Sequence, residues 1–98
     1  MIPINLPKDC HIIIMPRSQA SIDFDLELNN PSDTIALAIL TQEVAKQGVV
    51  FLGSPMIVQN GKNVLDIFNI SNKEIELNGG SQIATVVVVN CVLSQRTP

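Results

Sequence analysis

The residue types that could do chemistry are few in this sequence and are widely spaced. His11 is the only histidine. It stands inside the apolar run 10–15 and no nucleophile can be assigned to it, so we expect a strand residue rather than a general base. Cys10 and Cys91 are the only cysteines, and with one histidine they do not make a zinc motif. We therefore assign no catalytic residue and no metal ligand, and we expect no cofactor.

Four short patterns look chemical but have simpler interpretations. Asp33-Thr34-Ile35 resembles the aspartic protease triplet, yet Ile35 stands where that motif needs glycine. Gly79-Gly80 leads into a strand, whereas phosphate-binding glycine loops open a helix, so a turn is expected. Asn69-Ile70-Ser71 matches a glycosylation acceptor by chance. The acids Asp23, Asp25 and Glu27 could suggest a metal site, but a solvated strand face is favoured, since no second acidic cluster completes a shell.

Composition bounds the class of protein. The 98 residues suit one domain, 1–98, and 46% of them are hydrophobic with only three aromatics, all Phe. Such a core must be built from branched aliphatic side chains, which favour strands. The six basic residues are scattered, so we expect no nucleic-acid partner. No apolar run reaches about 20 residues and no secretion signal is evident, so no membrane span, a cytoplasmic location and reduced thiols are expected.

The elements that would position these residues are short strands. Residues 19–28 alternate strictly, with Ile22, Phe24, Leu26 and Leu28 on one face and the acids on the other, as in a half-buried strand. Residues 41–48 allow one helical turn, and Asn60-Gly61 predicts a type I′ hairpin. About eight strands are predicted in a small sandwich or barrel of the all-β class. They cover residues 10–15, 19–28, 34–41, 48–53, 55–59, 63–70, 74–77 and 82–93.

The stretch "NVLDIFNISNKEIELNGGSQIATVVVV", residues 63–89, carries a family resemblance. A strand ends in Asn, a polar turn and a short strand follow, and a glycine turn leads into a last apolar strand. This order resembles the end of trimeric dUTPases. It also resembles the segment between protease and reverse transcriptase in gypsy-type retrotransposon polyproteins. With "LPKDCHIIIMPRSQASIDFDLEL" and "QGVVFLGS" the resemblance covers most of the chain, and it implies a dUTPase-like jelly roll.

The resemblance also assigns positions, several of which depart from the dUTPase pattern. Arg17 and Ser18 match the Pro-Arg-Ser motif that contacts phosphate, and Phe51 stands where dUTPases hold the Asp that orients the attacking water. The Tyr that would stack beneath the nucleoside is missing, because the chain contains no Tyr. In the last signature the Gly, Ile and Ala are kept while the Asp, Arg and Gln are lost. The vestigial phosphate-contact positions are Arg17, Ser18, Gly80, Ser81 and Gln82.

The implied function is a non-catalytic, self-associating dUTPase-like module of a retroelement or viral polyprotein, within the cytoplasm or a virus-like particle. A homo-oligomer is expected, trimer ahead of dimer, with possible contacts to other polyprotein domains and with the valine run at the interface. Two alternatives stay open: a working dUTP pyrophosphatase, which would need Mg²⁺, and an unrelated small β capsid or adaptor module. The predicted interface residues are Val86, Val87, Val88 and Val89.

Overall fold

The computed structural model describes residues 1–29, 34–53 and 56–90. Within these ranges the chain forms nine strands and one short helix, which confirms the all-β class. The elements are β1 (Ile2–Asn5), β2 (Ile12–Ile14), β3 (Gln19–Leu26), β4 (Thr34–Leu40), α1 (Gln42–Lys46), β5 (Val49–Phe51), β6 (Ile57–Val58), β7 (Gly61–Asn69), β8 (Ile75–Leu77) and β9 (Gln82–Asn90).

The strands form three antiparallel sheets. A four-stranded sheet has the order β1-β9-β4-β6, a three-stranded sheet the order β3-β7-β5, and β2 pairs with β8 alone. Most neighbours are distant in sequence. The last long strand, β9, lies between the first strand and β4, with Ile4 opposite Ala84 and Ala38 opposite Val86. Non-local pairing therefore holds the two ends of the described chain together.

The alternation of residues 19–28 is confirmed in β3. Ile22 and Leu26 are buried and Phe24 is half-buried, while Asp23 and Asp25 are exposed on the other face. This pattern follows from the two-residue repeat of a strand, which turns one set of side chains into the core and the other into water.

Among the described residues the buried hydrophobic side chains are all aliphatic, as the composition predicts. The buried hydrophobic residues form one cluster that takes members from every strand and from Val44 of the helix. None of them is aromatic, and Phe24 and Phe51 pack against the cluster from positions that are only half-buried. Branched side chains fill the space between pleated sheets at low cost in rotamer entropy.

One strand was missed at the sequence level. Residues Ile2–Asn5 form β1, although the sequence "IPIN" contains a proline. Pro3 has no N–H to donate to a ladder, and proline is tolerated where a strand lies at the edge of a sheet. Because β1, among the described strands, is an edge strand that pairs only with β9, Pro3 fits there opposite Thr85.

The hairpin predicted at Asn60-Gly61 is wrong. Strand β6 pairs with β4, and β7 pairs with β3 and β5, so this turn connects two sheets instead of two neighbouring strands. Gly61 has a φ of 102°, but Asn60 does not have positive φ, as a type I′ turn would require. The Asn63 side chain closes the turn by bonding the Gln59 backbone, donating to its oxygen at 2.7 Å and accepting from its nitrogen at 2.9 Å.

The predicted helical turn is confirmed as α1. Its buried Val44 packs on the core, with Glu43 in the first turn and Lys46 in the last, where they suit the helix dipole. No described helix is long and apolar enough to cross a membrane. The expectations for Asp33 and for Cys91 lie outside the described residues.

Candidate functional site

The first candidate site is the turn that holds Arg17 and Ser18 between β2 and β3. Arg17 is the one described non-glycine residue with positive φ, at 57°. Its backbone nitrogen donates to the Asn69 oxygen at 2.9 Å, and the Asn69 nitrogen donates to the Ser18 oxygen at 2.9 Å. The Ser18 hydroxyl donates to the Pro16 oxygen at 3.3 Å, and the Arg17 guanidinium donates to Asn72 Oδ1 at 3.3 Å. Both side chains thus have partners within the chain.

Asn69 is the hydrogen-bond centre of this region. Its burial explains why the strand β7 ends in an asparagine. It is fully buried. Its amide nitrogen lies 3.0, 3.2 and 2.7 Å from the backbone oxygens of Ile14, Met15 and Lys73. Its amide oxygen accepts from the Ser71 nitrogen at 2.9 Å and from the Ser71 hydroxyl at 2.6 Å. Asn69 therefore ties β7 to β2 and to the turn before β8, and it offers no accessible amide for glycosylation.

The second candidate site is the glycine turn before β9. Gly80 has a φ of 81°, a backbone region that glycine enters at low cost. A Cβ at Gly79 would overlap the carbonyl group of Lys8, so this position is closed to larger residues. The Leu6 nitrogen donates to the Ser81 oxygen and the Gly80 nitrogen to the Leu6 oxygen, both at 2.9 Å. The turn fixes the N-terminal segment against the start of β9.

The polar side chains of this turn are also bonded locally. The Ser81 hydroxyl donates to the Asn78 oxygen at 2.5 Å. Gln82 donates from its amide to Thr85 Oγ1 at 2.9 Å and to the Ala84 oxygen at 3.3 Å. Among the described residues no hydrogen bond joins this turn to Arg17 or Ser18.

Phe51 ends β5 opposite Ile67 of β7. It is half-buried and packs against the hydrophobic core. The nearest acid along this pairing is Asp66, whose backbone oxygen accepts from the Leu52 nitrogen at 2.9 Å. Its carboxylate accepts from the Ser21 hydroxyl at 2.6 Å. A phenyl ring can neither orient nor deprotonate a water molecule, so this position carries no acid–base chemistry.

The remaining reactive residues do not assemble either. His11 Nε2 lies 3.3 Å from Glu76 Oε1 across the β2–β8 pair, with both side chains about half exposed. Cys10 is a free, half-buried thiol. Asp23 and Asp25 share an open surface with Lys62, and no three potential metal ligands lie together within the described part of the chain.

The valine run divides between core and surface. Val86 is fully buried within the chain, Val87 is half-buried, and Val88 and Val89 are 38% and 48% exposed. Val86 packs in the core and leaves no side-chain surface for a neighbouring subunit. Only the later valines can meet another molecule.

An apolar groove of about 560 Å³ lies beside this sheet. It is bounded by β4, α1, β5 and Met56, and its lining includes Leu37, Ile39, Val50 and Phe51. Apolar side chains dominate it, and it offers no set of convergent polar groups of the kind that fixes a small substrate.

Comparison with known proteins identifies the fold. No protein-family model and no curated protein sequence matches the chain. A solved structure titled "EIAV dUTPase native" superposes with a TM-score of 0.77 and 21% identity, covering 98% of this chain and 79% of the viral protein. At that identity the similarity is evidence of a shared architecture and not of a shared activity. It confirms that the chain has a dUTPase-like β fold.

Proposed function

We propose that this chain is a dUTPase-like β domain that does not hydrolyse dUTP and that serves as a self-associating structural module of a retroelement or viral polyprotein. The observation that supports the proposal most directly is the residue type at position 51, which is Phe51. In the resemblance, Gly48-Val49-Val50-Phe51 stands where dUTPases hold Gly-Val-Ile-Asp. The fold places Phe51 at the end of β5 against the core. A phenyl ring packed on the core therefore stands where the resemblance implies a water-orienting carboxylate.

The residues that the chain shares with the dUTPase pattern support the same interpretation, because they shape the backbone and the core. Ile83 and Ala84 are buried at 1% and 0% exposure, Asn69 is the buried hydrogen-bond centre, and Gly80 provides positive φ. The residues that would touch substrate are the ones that differ. A chain that retains the residues of the fold but lacks the residues that would contact a substrate has the properties of a structural module.

A hydrolysis assay tests the enzymatic half of the proposal. Purified protein is incubated with dUTP and Mg²⁺ and released pyrophosphate is measured, with a heat-denatured sample as background. We expect no turnover above background, since loss of a positioned acid–base group costs on the order of 10²–10⁴ in rate and the nucleoside platform is missing as well. Turnover of about 1 s⁻¹, within the ordinary range of enzymes, would support the pyrophosphatase alternative.

Genomic context tests the polyprotein half. A reading frame with a protease before this segment and a reverse transcriptase after it is the expected arrangement. Neighbouring genes of unrelated cellular function, with neither enzyme nearby, would contradict it and favour an adaptor module.

A further inference from the structure

The chain contains two Asn-Gly dipeptides, Asn60-Gly61 and Asn78-Gly79. An asparagine followed by glycine can modify itself, because glycine has no side chain to hinder attack of its nitrogen on the asparagine amide carbon. Both asparagines are exposed, and Gly61 begins β7 while Gly79 lies in the turn before β9. The two sites share the same intrinsic chemistry, so the fold decides which of them can react.

At the first site both groups that would react are engaged in hydrogen bonds. Asn60 Oδ1 accepts from the Leu28 nitrogen at 2.7 Å. Along β7 the Asn69 nitrogen bonds on the side of β3. Because the bonding side alternates from one residue to the next, the Gly61 nitrogen also bonds on that side, where Leu26 is its partner. Cyclisation at Asn60 therefore requires two hydrogen bonds to open.

At the second site the reacting groups are available. Asn78 is exposed, and among the described residues neither its side chain nor the Gly79 nitrogen forms a hydrogen bond. The Asn78 backbone oxygen accepts from the Ser81 nitrogen at 3.2 Å and from the Ser81 hydroxyl at 2.5 Å. Hydrogen bonds donated to a peptide oxygen polarise the peptide group. They make the Gly79 N–H easier to deprotonate, and the deprotonated nitrogen is the attacking group.

We propose that Asn78 is a site of spontaneous deamidation in the folded protein and that the fold protects Asn60. The Gly79 nitrogen gives its proton to water and adds to Asn78 Cγ, which closes a succinimide ring. The side-chain nitrogen takes up a proton and leaves as ammonia. Water then opens the ring at either carbonyl and leaves aspartate or isoaspartate at position 78. Water is the only co-reactant, and the inference does not rest on the proposed function.

The packing of the same turn gives the modification a structural consequence. Isoaspartate carries the main chain through its Cβ and so lengthens the backbone before Gly79 by one carbon. There is no room for this on the side of Lys8, because even a Cβ on Gly79 would overlap the Lys8 carbonyl group. The Gly80 nitrogen bonds the Leu6 oxygen, and the Leu6 nitrogen bonds the Ser81 oxygen, both at 2.9 Å. We expect isoaspartate to break these bonds and to release the N-terminal segment that contains β1.

The test follows deamidation of the complete chain in mildly alkaline buffer by peptide mass mapping. Trypsin separates the two sites, because Lys62 and Lys73 lie between them, and fragmentation assigns the modified asparagine. In the folded protein we expect Asn78 to react about tenfold faster than Asn60, since two hydrogen bonds of ordinary net strength must open at Asn60. In urea the two dipeptides lose their different surroundings, and their rates should become similar.

Two glutamine variants complete the design, because glutamine would have to close a larger ring. Asn78→Gln should abolish the modification at position 78, whereas Asn60→Gln, the matched control, should leave it unchanged. Limited trypsin digestion should cleave after Lys8 faster in the aged unmodified chain than in the aged Asn78→Gln chain.

Equal rates at the two sites of the folded protein, or a faster reaction at Asn60, would overturn the assignment. Reaction at Asn78 in urea alone would overturn it as well. Deamidation at Asn78 with unchanged cleavage after Lys8 would support the site and overturn its consequence for the N-terminal segment.

Discussion

At the loop around Asn69, every polar group of the central side chain is bonded within the chain, whereas on the outer side of the four-stranded sheet Ile39 and Ile57 leave more than half of their surface in solvent. The loop contains residues that sequence motifs single out, and in the fold their hydrogen bonds hold neighbouring segments together. The outer side of the four-stranded sheet contains residues that no motif singles out, and the single chain leaves them uncovered. The two regions therefore differ in what the single chain leaves for another molecule to contact: the polar groups of the Asn69 side chain are used within the chain, whereas the isoleucine side chains are in solvent.

The same contrast separates the outer faces of the two larger sheets. On the three-stranded sheet, Asp23 and Asp25 face solvent and Ser21 bonds Asp66, so water completes this side. On the four-stranded sheet the equivalent positions are isoleucine and valine. An antiparallel sheet commonly has one face packed on the core and one face in water. The four-stranded sheet departs from this pattern, because isoleucine side chains are exposed on its outer side.

The largest expected effect on stability is at the polar loop. Asn69→Ala removes the donor to the Ile14, Met15 and Lys73 oxygens and leaves buried backbone groups without partners. We expect the free energy of unfolding in urea to fall by about 3 kcal/mol or more. Asn72→Ala is the control, because Asn72 is exposed and accepts a single bond at 3.3 Å. Its effect should stay within about 0.5 kcal/mol.

Measurements of the free energy of unfolding should distinguish the two regions. Asn69→Ala should lower the free energy of unfolding, whereas Ile57→Lys, at an exposed position on the two-residue edge strand β6, should leave it within about 0.5 kcal/mol. Equal stability of Asn69→Ala and Asn72→Ala would show that the Asn69 hydrogen bonds do not hold these segments together. The loop would then return to consideration as a binding site.

A smaller effect is expected at the glycine turn. Gly79→Ala places a methyl group against the Lys8 carbonyl, which is backbone and cannot move aside cheaply. Overpacking of this kind costs about 1–3 kcal/mol, measured as a lower free energy of unfolding. Gly80→Asn is the control, since asparagine tolerates the left-handed region and the nearest atom to its Cβ, Lys8 Cγ, is 3.8 Å away. A Gly80→Asn variant less stable than Gly79→Ala would contradict this account of the turn.

Local patterns predicted local structure well. The alternation of 19–28 became β3, the small helix formed where residues 41–48 allowed it, and the glycine turn before β9 has the positive φ expected of it. Each depends on a repeat or a backbone preference that a few consecutive residues contain. The strand β1 was missed because Pro3 argues against a strand unless its edge position is already known.

Pairing between distant segments could not be predicted in this way. Asn60-Gly61 has the composition of a hairpin, but its flanking strands belong to different sheets, a choice made by burial elsewhere in the chain. The whole valine run was expected at a subunit interface, but in the single chain Val86 is buried while Val88 and Val89 are exposed. Only the register of β9 with β4 shows that Val89 and Val87 lie beside Ile35 and Leu37 on the outer side.

The smallest effect concerns Arg17, whose side chain matches a phosphate contact and whose backbone is left-handed, with a φ of 57°. Arg17→Gly and Arg17→Ala both delete the exposed bond to Asn72, so their difference isolates the backbone. Because the left-handed region costs a residue with a Cβ about 1 kcal/mol relative to glycine, we expect the glycine variant to be more stable by about that amount in urea. Equal stabilities would mean that the turn relaxes out of the left-handed region once the arginine is gone, and that the side chain itself holds the turn in place.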